Sequence, residues 1–473
     1  MRSRTSTSVP VVPGAWPVVG HAPQLMRRPL EFVTSLAAHG DVVRLGLGML
    51  PVHAVTHPSL VRRVLVDDAR HFSRGRLFEK ASLFLGEGLA AISGPVHRRH
   101  RRVIQPAFHP QRIAAGVPAM REAAQGLAAA WRPGQTVAVD RAMNDLSLDV
   151  LARTLLPTAA ESGAGGEFHR ALPVLTRGMM TRSVLPEWWT RVPTPGQRRF
   201  DRAHRTMDAF IGEAIGAAIG AHGAGGRGDG PEGGGMLSVL LADRHEPVRP
   251  AAPSPCAAAA AAGCTGGGLT ERQIRDHVTS IVMAGVETTG ATLAWFFHEL
   301  GRHPEVEARV HAEVDAVLGD RPPGQEDLPA LEFTGRALTE TLRRYTPWLL
   351  TRRADVPVLL GGFTLPAGAE ILYSPYALHH DARWFPSPRR FDPDRWLPER
   401  AREVPKGAFM PFGAGAHKCI GETFAFTEMM IAAAVVCRRW RLRPVPGVRV
   451  RAVARGEIHP DRLPMTAEPR HGA

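Results

Sequence analysis

The sequence predicts a mainly α-helical protein with a small β region, folded as a single large domain over residues 1–473. Three features carry that prediction. Long stretches, above all Arg112 to about Gly220 and Thr270 to about Leu300, keep a helical spacing of apolar residues. Strand-like alternation is confined to one early and one late segment. No internal repeat divides the chain, and 44% hydrophobic residues suffice for one large core.

Each element follows from local signals. Residues 10–40 begin proline-rich (PGAWPVVGH) and continue as a helical stretch ending at Gly40. Asp41 to Val55 alternates around Gly46, Gly48 and Pro51, which predicts a β-hairpin. Pro58 opens a helix in the first turn, where its missing N–H costs nothing. From Arg112 to about Gly220 the helical pattern breaks at Pro133, Pro157, Pro186 and Pro193. A glycine-rich loop at 223–235 precedes a short helix, Met236 to Arg244. Residues 246–268 are an insertion of Ala, Pro and Gly with little to bury, predicted to be disordered. Thr270 starts the most strongly helical region, with Gln273 completing a capping box, and Pro304 starts the next helix. Leu328 to Arg344 reads as another helix, followed by strands around Thr351–Leu360 and Phe363–Tyr373. Loops then lead to a last helical run, Thr423 to Val436.

Composition removes several function classes. The formal charge is +13, yet of 58 basic residues only Lys80, Lys406 and Lys418 are lysine. The arginines are scattered and no nucleic-acid motif accompanies them, so a basic patch for an acidic redox protein suits the charge better than a nucleic acid. Four cysteines without CxxC pairing or disulfide-like spacing point to a reducing, intracellular setting. Prolines and glycines break every N-terminal hydrophobic stretch, so neither signal peptide nor membrane anchor is expected, and the expected location is cytoplasmic.

The segment Phe412-Gly-Ala-Gly-Ala-His-Lys-Cys419-Ile-Gly421 carries the chemistry. Its cysteine stands just before a helix, where unpaired N–H groups and the macrodipole favour a thiolate, the form that binds a soft metal. Gly413, Gly415 and Gly421 remove side chains where a flat cofactor would press on the backbone, and His417 is placed to donate to an anionic group at its edge. A structural cysteine after a glycine-rich turn is the competing reading. Five fixed positions, Phe412, Gly415, His417, Cys419 and Gly421, weigh against it.

The Thr270 helix contains Ala284-Gly-Val-Glu287-Thr288-Thr289 between flanks that are apolar nearly all round. A buried acid and hydroxyl require a reason. Gly285 lets a planar ligand near the backbone, and the Thr288 hydroxyl is expected to bond a backbone carbonyl and open a local bulge that holds a water. The functional reading is a proton relay through Glu287 and Thr288; the structural one is a helix-bending Thr beside a Glu paired with an arginine. Glu340 and Arg343, at i and i+3, share a helix face, as do His97 and Arg101 at i and i+4.

These segments resemble the cytochrome P-450 superfamily, in order and at the expected spacing, from the proline-rich start to about Val436. The matching motifs are Phe-x-x-Gly-x-His-x-Cys-x-Gly, Ala-Gly-x-Glu-Thr-Thr, Glu-x-x-Arg and His-x-x-x-Arg. The resemblance implies the haem-thiolate fold, a haem b cofactor with Cys419 as iron ligand, and a monooxygenase using dioxygen. It implies cofactor contacts at Phe412, Gly413 and Ala284, and propionate contacts at His97, Arg101, Arg352 and His417. Glu287 and Thr288 become the catalytic pair, directing protons toward bound dioxygen. Glu340 and Arg343 become a structural brace whose third partner is Arg395.

The same resemblance places pocket walls at Phe78, Leu83, Phe84 and Leu85, at Val286 beside Ala284, and at Trp348, Leu349 and Leu350. Each is as compatible with core packing as with ligand contact; together they imply a hydrophobic substrate. The stretches around Leu349, Tyr373 and Phe391 are similar to actinobacterial sesquiterpene oxygenases of the pentalenene and epi-isozizaene type, which implies oxidation of an unactivated C–H bond in a cyclic terpene. Fatty-acid or macrolide oxidation, a peroxide-driven enzyme and a non-enzymatic haem sensor are the alternatives. With no flavin or nicotinamide fingerprint, electrons are expected from a ferredoxin and its ferredoxin reductase, docking near Arg98, Arg99, Lys406 and Lys418.

Overall fold

The computed structural model describes residues 8–48, 50–155, a few positions between 167 and 192, 194–223, 235–242, 268–454 and 456–470. Almost all of the 246–268 insertion and of the 223–235 loop, and the expected breaks at Pro157, Pro186 and Pro193, lie outside the described residues.

The longest helix, Glu271–Arg302, starts where the capping box places it. Thr270 Oγ1 accepts from the Gln273 N–H at 3.2 Å, and Gln273 Oε1 accepts from the Thr270 N–H at 3.1 Å. Against it pack the helices Val139–Leu155, Glu332–Arg344 and Glu422–Arg439, with Pro110–Ala130 packed on the first and last of these, and all share the largest apolar cluster of the core. The Val139–Leu155 helix comes especially close. A Cβ at Gly290 would stand 2.8 Å from the Asn144 backbone, and one at Gly285 would stand 2.7 Å from Leu151 Cδ1. Gly285 therefore serves helix packing, not only the approach of a planar ligand.

The expected early hairpin is formed by β1 (Val42–Leu47) and β2 (Leu50–Val55), with Val42 opposite Val55. With β3 (Phe72–Arg74) they join a five-stranded sheet ordered β1-β2-β8-β5-β3; a separate β4 spans Thr136–Ala138. The late strand segment, read from sequence as two strands, comprises four: β5 (Leu350–Ala354), β6 (Val358–Leu360), β7 (Phe363–Leu365) and β8 (Glu370–Tyr373). Gly361 and Gly362 have φ of +58° and +85° and turn β6 onto β7, a conformation other residues rarely adopt. The stretch from Leu328 also divides: a 3₁₀ turn, Gln325–Ala330, holds Pro329, and the α-helix begins at Glu332.

The chain after the cysteine helix, for which the sequence suggested no element, forms β9 (Trp440–Pro444), β10 (Ala452–Ala454), β11 (Ile458–Pro460) and β12 (Pro464–Pro469). β12 pairs with both β9 and β4. β10 and β11 make a hairpin with Ala454 opposite Ile458, pinned to the long helix where Trp295 Nε1 donates to the Ile458 carbonyl at 2.8 Å. Among the described residues no helix is long and apolar enough to cross a membrane.

Candidate active site

A cavity of about 290 Å³ lies between the cysteine loop and the long helix. One side is built by Phe412, Gly413, His417 and Cys419, the opposite side by Ala284, Gly285 and Thr288. The loop is closed by the Cys419 N–H donating to the Phe412 carbonyl at 2.8 Å. Gly413 and Gly415 have φ of +70° and +68°; a Cβ at Gly415 would lie 1.9 Å from the Leu65 carbonyl oxygen. That glycine therefore lets the loop pass a neighbouring backbone and does not meet the cavity. The accessible surface of Cys419 opens into the cavity, so burial raises its thiol above the ordinary value, while a hydrogen bond from the Gly421 backbone acts in the opposite sense. Burial thus opposes the thiolate that the start of the following helix was expected to favour, and a bound cation would favour it.

The other polar groups explain what would sit there. β3 and β5 set Arg74 directly opposite Arg352, and both line the cavity. Like charges across a strand pair repel. Burial and then Arg352 push Arg74 down to about 9. The His97 and His417 rings pack at a tilt of 45° with centroids 4.0 Å apart; burial, then Arg74, lowers them to about 4 and about 2. Arg101, also lowered by burial, donates to the Lys418 carbonyl at 2.6 Å and so ties its helix to the cysteine loop. Arg74 Nε and His417 Nδ1 are buried with no hydrogen-bond partner among the described residues, and no carboxylate there pairs with Arg74, Arg101 or Arg352. Such a cluster is complementary to two buried carboxylates. No group of three or more His, Cys, Asp or Glu able to hold a metal occurs among the described residues, so an iron on Cys419 needs its remaining ligands from a macrocycle. A haem, with its two propionates, fits both requirements.

Strand alternation decides between the neighbouring arginines. Arg352 faces the cavity, whereas Arg353 turns to the other face of β5 and binds Glu79 at 2.7 Å. Arg74 is the functional group that sequence reading missed; only its register opposite Arg352 gives it away.

On the long helix, Thr288 Oγ1 donates to the Ala284 carbonyl at 2.7 Å, as its position suggests. The expected bulge is absent, because the helix stays regular through this segment. Thr292 repeats the same bond to the Thr288 carbonyl at 2.9 Å. Glu287 is buried on the side away from the cavity, with His459 Nε2 of β11 at 3.9 Å from its carboxylate. Next to His459, Glu457 lines the cavity, and burial followed by the Glu287 charge pushes its carboxyl up to about 8. Neither residue was a sequence candidate, since the hairpin that carries them was not recognised.

Of the pocket-wall candidates, Leu350 lines the cavity. Val286 is fully buried on the core side of the long helix, one residue from the cavity-facing Gly285 and therefore about 100° around the helix axis. Trp348 packs with Val33, Trp295 and Ile458 instead, with Leu349 against the same cluster. Leu85 is buried elsewhere, and Phe78 lies under the Arg74 guanidinium, 4.3 Å from its ring centroid. The Leu83 and Phe84 side chains lie outside the described residues. Walls that sequence reading did not suggest come from Phe108, Leu151, Leu155 and Ile281.

Glu340 and Arg343 are both wholly buried and joined at 2.9 Å. Arg395 reaches Glu340 at 3.4 Å, Trp396 Nε1 donates to it at 3.0 Å, and Arg343 Nη1 donates to the His379 carbonyl at 2.7 Å. His379 Nε2 in turn accepts from the Met410 N–H at 3.0 Å, which carries the brace to the start of the cysteine loop.

Outside the cavity, an open groove of about 1140 Å³ runs along the back of that loop, lined by Arg98, Arg101, Arg102 and Arg112 with Gly415 and Ala416. Arg99 turns away from it, toward the Gly268 carbonyl, and Lys418 is bound to Glu422.

Comparison with known proteins gives a consistent result. The profile of the family described as Cytochrome P-450 matches residues 10–217 and 239–462. The chain is 43% identical to cyclooctat-9-en-7-ol 5-monooxygenase of Streptomyces melanosporofaciens, over 97% of this chain and 95% of that protein. It is 39% identical to cyclooctatin synthase of the same organism, with the same coverage of 97% and 95%. With pentalenene oxygenase of Streptomyces avermitilis it shares 38% identity over 95% of each chain.

Proposed function

This chain belongs to the cytochrome P-450 family, and from that premise we propose that it hydroxylates an unactivated C–H bond of a cyclic terpene with electrons delivered by a ferredoxin. It is a monooxygenase whose cofactor is haem. The observation that carries the reading is the apolar cavity walled by Ala284, Leu151 and Ile281 directly opposite Cys419. Three relatives spanning nearly the whole chain bear names of oxygenases or synthases of cyclooctatin and pentalenene compounds, which supports the terpene.

When bound, the haem supplies dioxygen activation and insertion of one oxygen atom into the substrate. The chain supplies everything else. Cys419 would ligate the iron, with the Gly421 N–H hydrogen-bonded to its sulfur. Arg74, Arg352 and His417 at the cavity face would hold the propionates, with His97 packed on His417 and Arg101 adding positive charge from the groove side, so that ion pairing would replace mutual repulsion. Thr288 presents its hydroxyl oxygen at the cavity face, fixed by the bond to Ala284. Glu287, buried behind it, exchanges protons with the His459 side of the molecule and passes them to Thr288. The apolar walls exclude water and hold the hydrocarbon skeleton. The core shared by the first and last long helices supports a single domain.

The arginine groove is the docking surface for the acidic ferredoxin, because it runs along the outside of the loop that holds Cys419. Reversing Arg98 and Arg102 to Glu should slow reduction by ferredoxin at least tenfold, with dithionite reduction unchanged; equal rates would remove this docking face.

The deciding experiment is a spectral titration of the ferric holoprotein with cyclic terpenes, fatty acids and macrolactones. A low-to-high-spin Soret shift with terpenes supports the substrate class. A shift confined to another class overturns it.

A further inference from the structure

Apart from the Arg74, Arg352 and His417 cluster assigned to the propionates, the cavity wall is largely apolar, and several of its remaining polar groups are already engaged. The hydroxyl protons of Thr288 and Thr292 are committed to helix carbonyls. Tyr345 donates to Glu299. Glu428 stands on the helix that follows Cys419, on the cofactor side. Glu457 is different. It is carried by the β10–β11 hairpin to the long-helix side, and among the described residues no group hydrogen-bonds its carboxyl. Its position is not accidental, since the hairpin is fastened by the Trp295–Ile458 bond, and Trp295 itself stacks on Tyr345 at 4.0 Å between centroids.

Resting on the terpene reading above, we propose that Glu457 is a specificity-determining residue that hydrogen-bonds a hydroxyl group already present on the substrate, so that the enzyme acts on a cyclic terpene alcohol in preference to the bare hydrocarbon. A hydrocarbon filling this cavity would displace water from Glu457 and leave a half-buried carboxyl at the cavity wall with no partner, which is costly. An alcohol satisfies both of its oxygens: the acid O–H donates to the alcohol oxygen, and the alcohol O–H donates to the acid carbonyl. Glu457 is suited to this exchange. Its carboxyl is pushed up to about 8 by burial and by Glu287, so at neutral pH it carries the proton it donates. The reaction preceding this one is then an oxygenation, or a cyclisation terminated by water, that leaves a hydroxyl on the ring system.

The test compares wild-type holoprotein with Glu457→Leu and Glu457→Gln by spin-shift titration, using a cyclic terpene hydrocarbon and the monoalcohol of the same skeleton. Wild type should bind the alcohol at least about tenfold more tightly, a preference that Glu457→Leu abolishes and Glu457→Gln retains in part. An alcohol-to-hydrocarbon ratio unchanged in Glu457→Leu overturns the proposal. A second probe pair separates this result from the terpene reading: phenylimidazole and its ring-hydroxylated analogues, which bind the haem iron whatever the natural substrate. If no terpene shifts the spectrum, the substrate class fails. A hydroxyl-dependent gain in imidazole affinity lost in Glu457→Leu would still support the hydrogen bond, and its absence in every hydroxyl isomer would overturn it. A thiolate-type Soret band in each variant certifies the fold.

Discussion

The two sides of the cavity are held by opposite strategies. Beneath the cysteine loop, the Glu340 carboxylate accepts from Arg343, Arg395, Trp396 and the Asp392 backbone, and every one of these contacts is 3.4 Å or shorter. Charges buried so deeply are tolerated only when each lone pair and proton is used. Across the cavity, the acids of the long helix and the β10–β11 hairpin sit close together. Glu457 is held neutral near Glu287, and His459 stands 3.9 Å from the same carboxylate. The saturated side fixes geometry. The side whose polar groups are only partly satisfied by the fold is the one we propose handles substrate and protons, because a group already fully bonded has nothing to offer a ligand.

Breaking the saturated side should have the largest effect. Arg343→Met strands the Glu340 charge and should cost about 3–5 kcal/mol in chemical denaturation of the holoprotein. A loss below about 1 kcal/mol would mean that the loop does not depend on this brace. On the opposite wall, Thr288→Ala removes only a side-chain bond to a helix carbonyl. Stability should move by no more than about 0.5 kcal/mol, while product per NAD(P)H falls about a hundredfold and peroxide appears instead. Unchanged coupling would dismiss Thr288 as a member of the proton relay.

Arg74 belongs to neither side, and its removal should have opposite signs in the two states of the protein. Without haem, Arg74→Met relieves the repulsion from Arg352 and should stabilise the apoprotein by up to about 1 kcal/mol. With haem, the same change should speed haem loss to a scavenging globin about tenfold. If both apoprotein stability and haem retention fall, the protein, not a propionate, balances that charge. The smallest effect concerns Glu428, whose carboxyl burial pushes up to about 8. Its raised value means that the folded state keeps a proton the unfolded state loses above about pH 4.3, so this group's contribution to stability falls as pH rises toward 8. Glu428→Gln should flatten the decline by about 1 kcal/mol per pH unit between pH 6 and 7. Parallel slopes for wild type and variant would show that Glu428 does not titrate in this way.

Much of this site was legible before any coordinates, for a physical reason. Cys419 and its glycines, the Ala284–Thr289 segment, and the Glu340–Arg343 pair are each contiguous, so a few adjacent positions carry the whole local geometry. The capping box at Thr270 and the helical start at Pro58 are equally local, and both elements begin where those signals put them. The pocket walls were not local. Val286 and Gly285 are neighbours in sequence, yet one faces the core and the other the cavity, and only the rotation of the helix against Val139–Leu155 assigns the faces.

What the sequence by itself determined was the family, the mainly helical fold and the segments that supply Cys419 and Thr288 to one cavity. Their short motifs are constrained by backbone chemistry within a single turn or loop. Tertiary structure alone decided which arginine faces the cofactor, through the β3–β5 register that sets Arg74 against Arg352 and turns Arg353 away. It alone brought Glu457 and His459 to Glu287, across some 170 residues of chain. The two three-residue strands of the β10–β11 hairpin are too short for any periodicity to announce them, and the hairpin is held in place by the long helix it docks on.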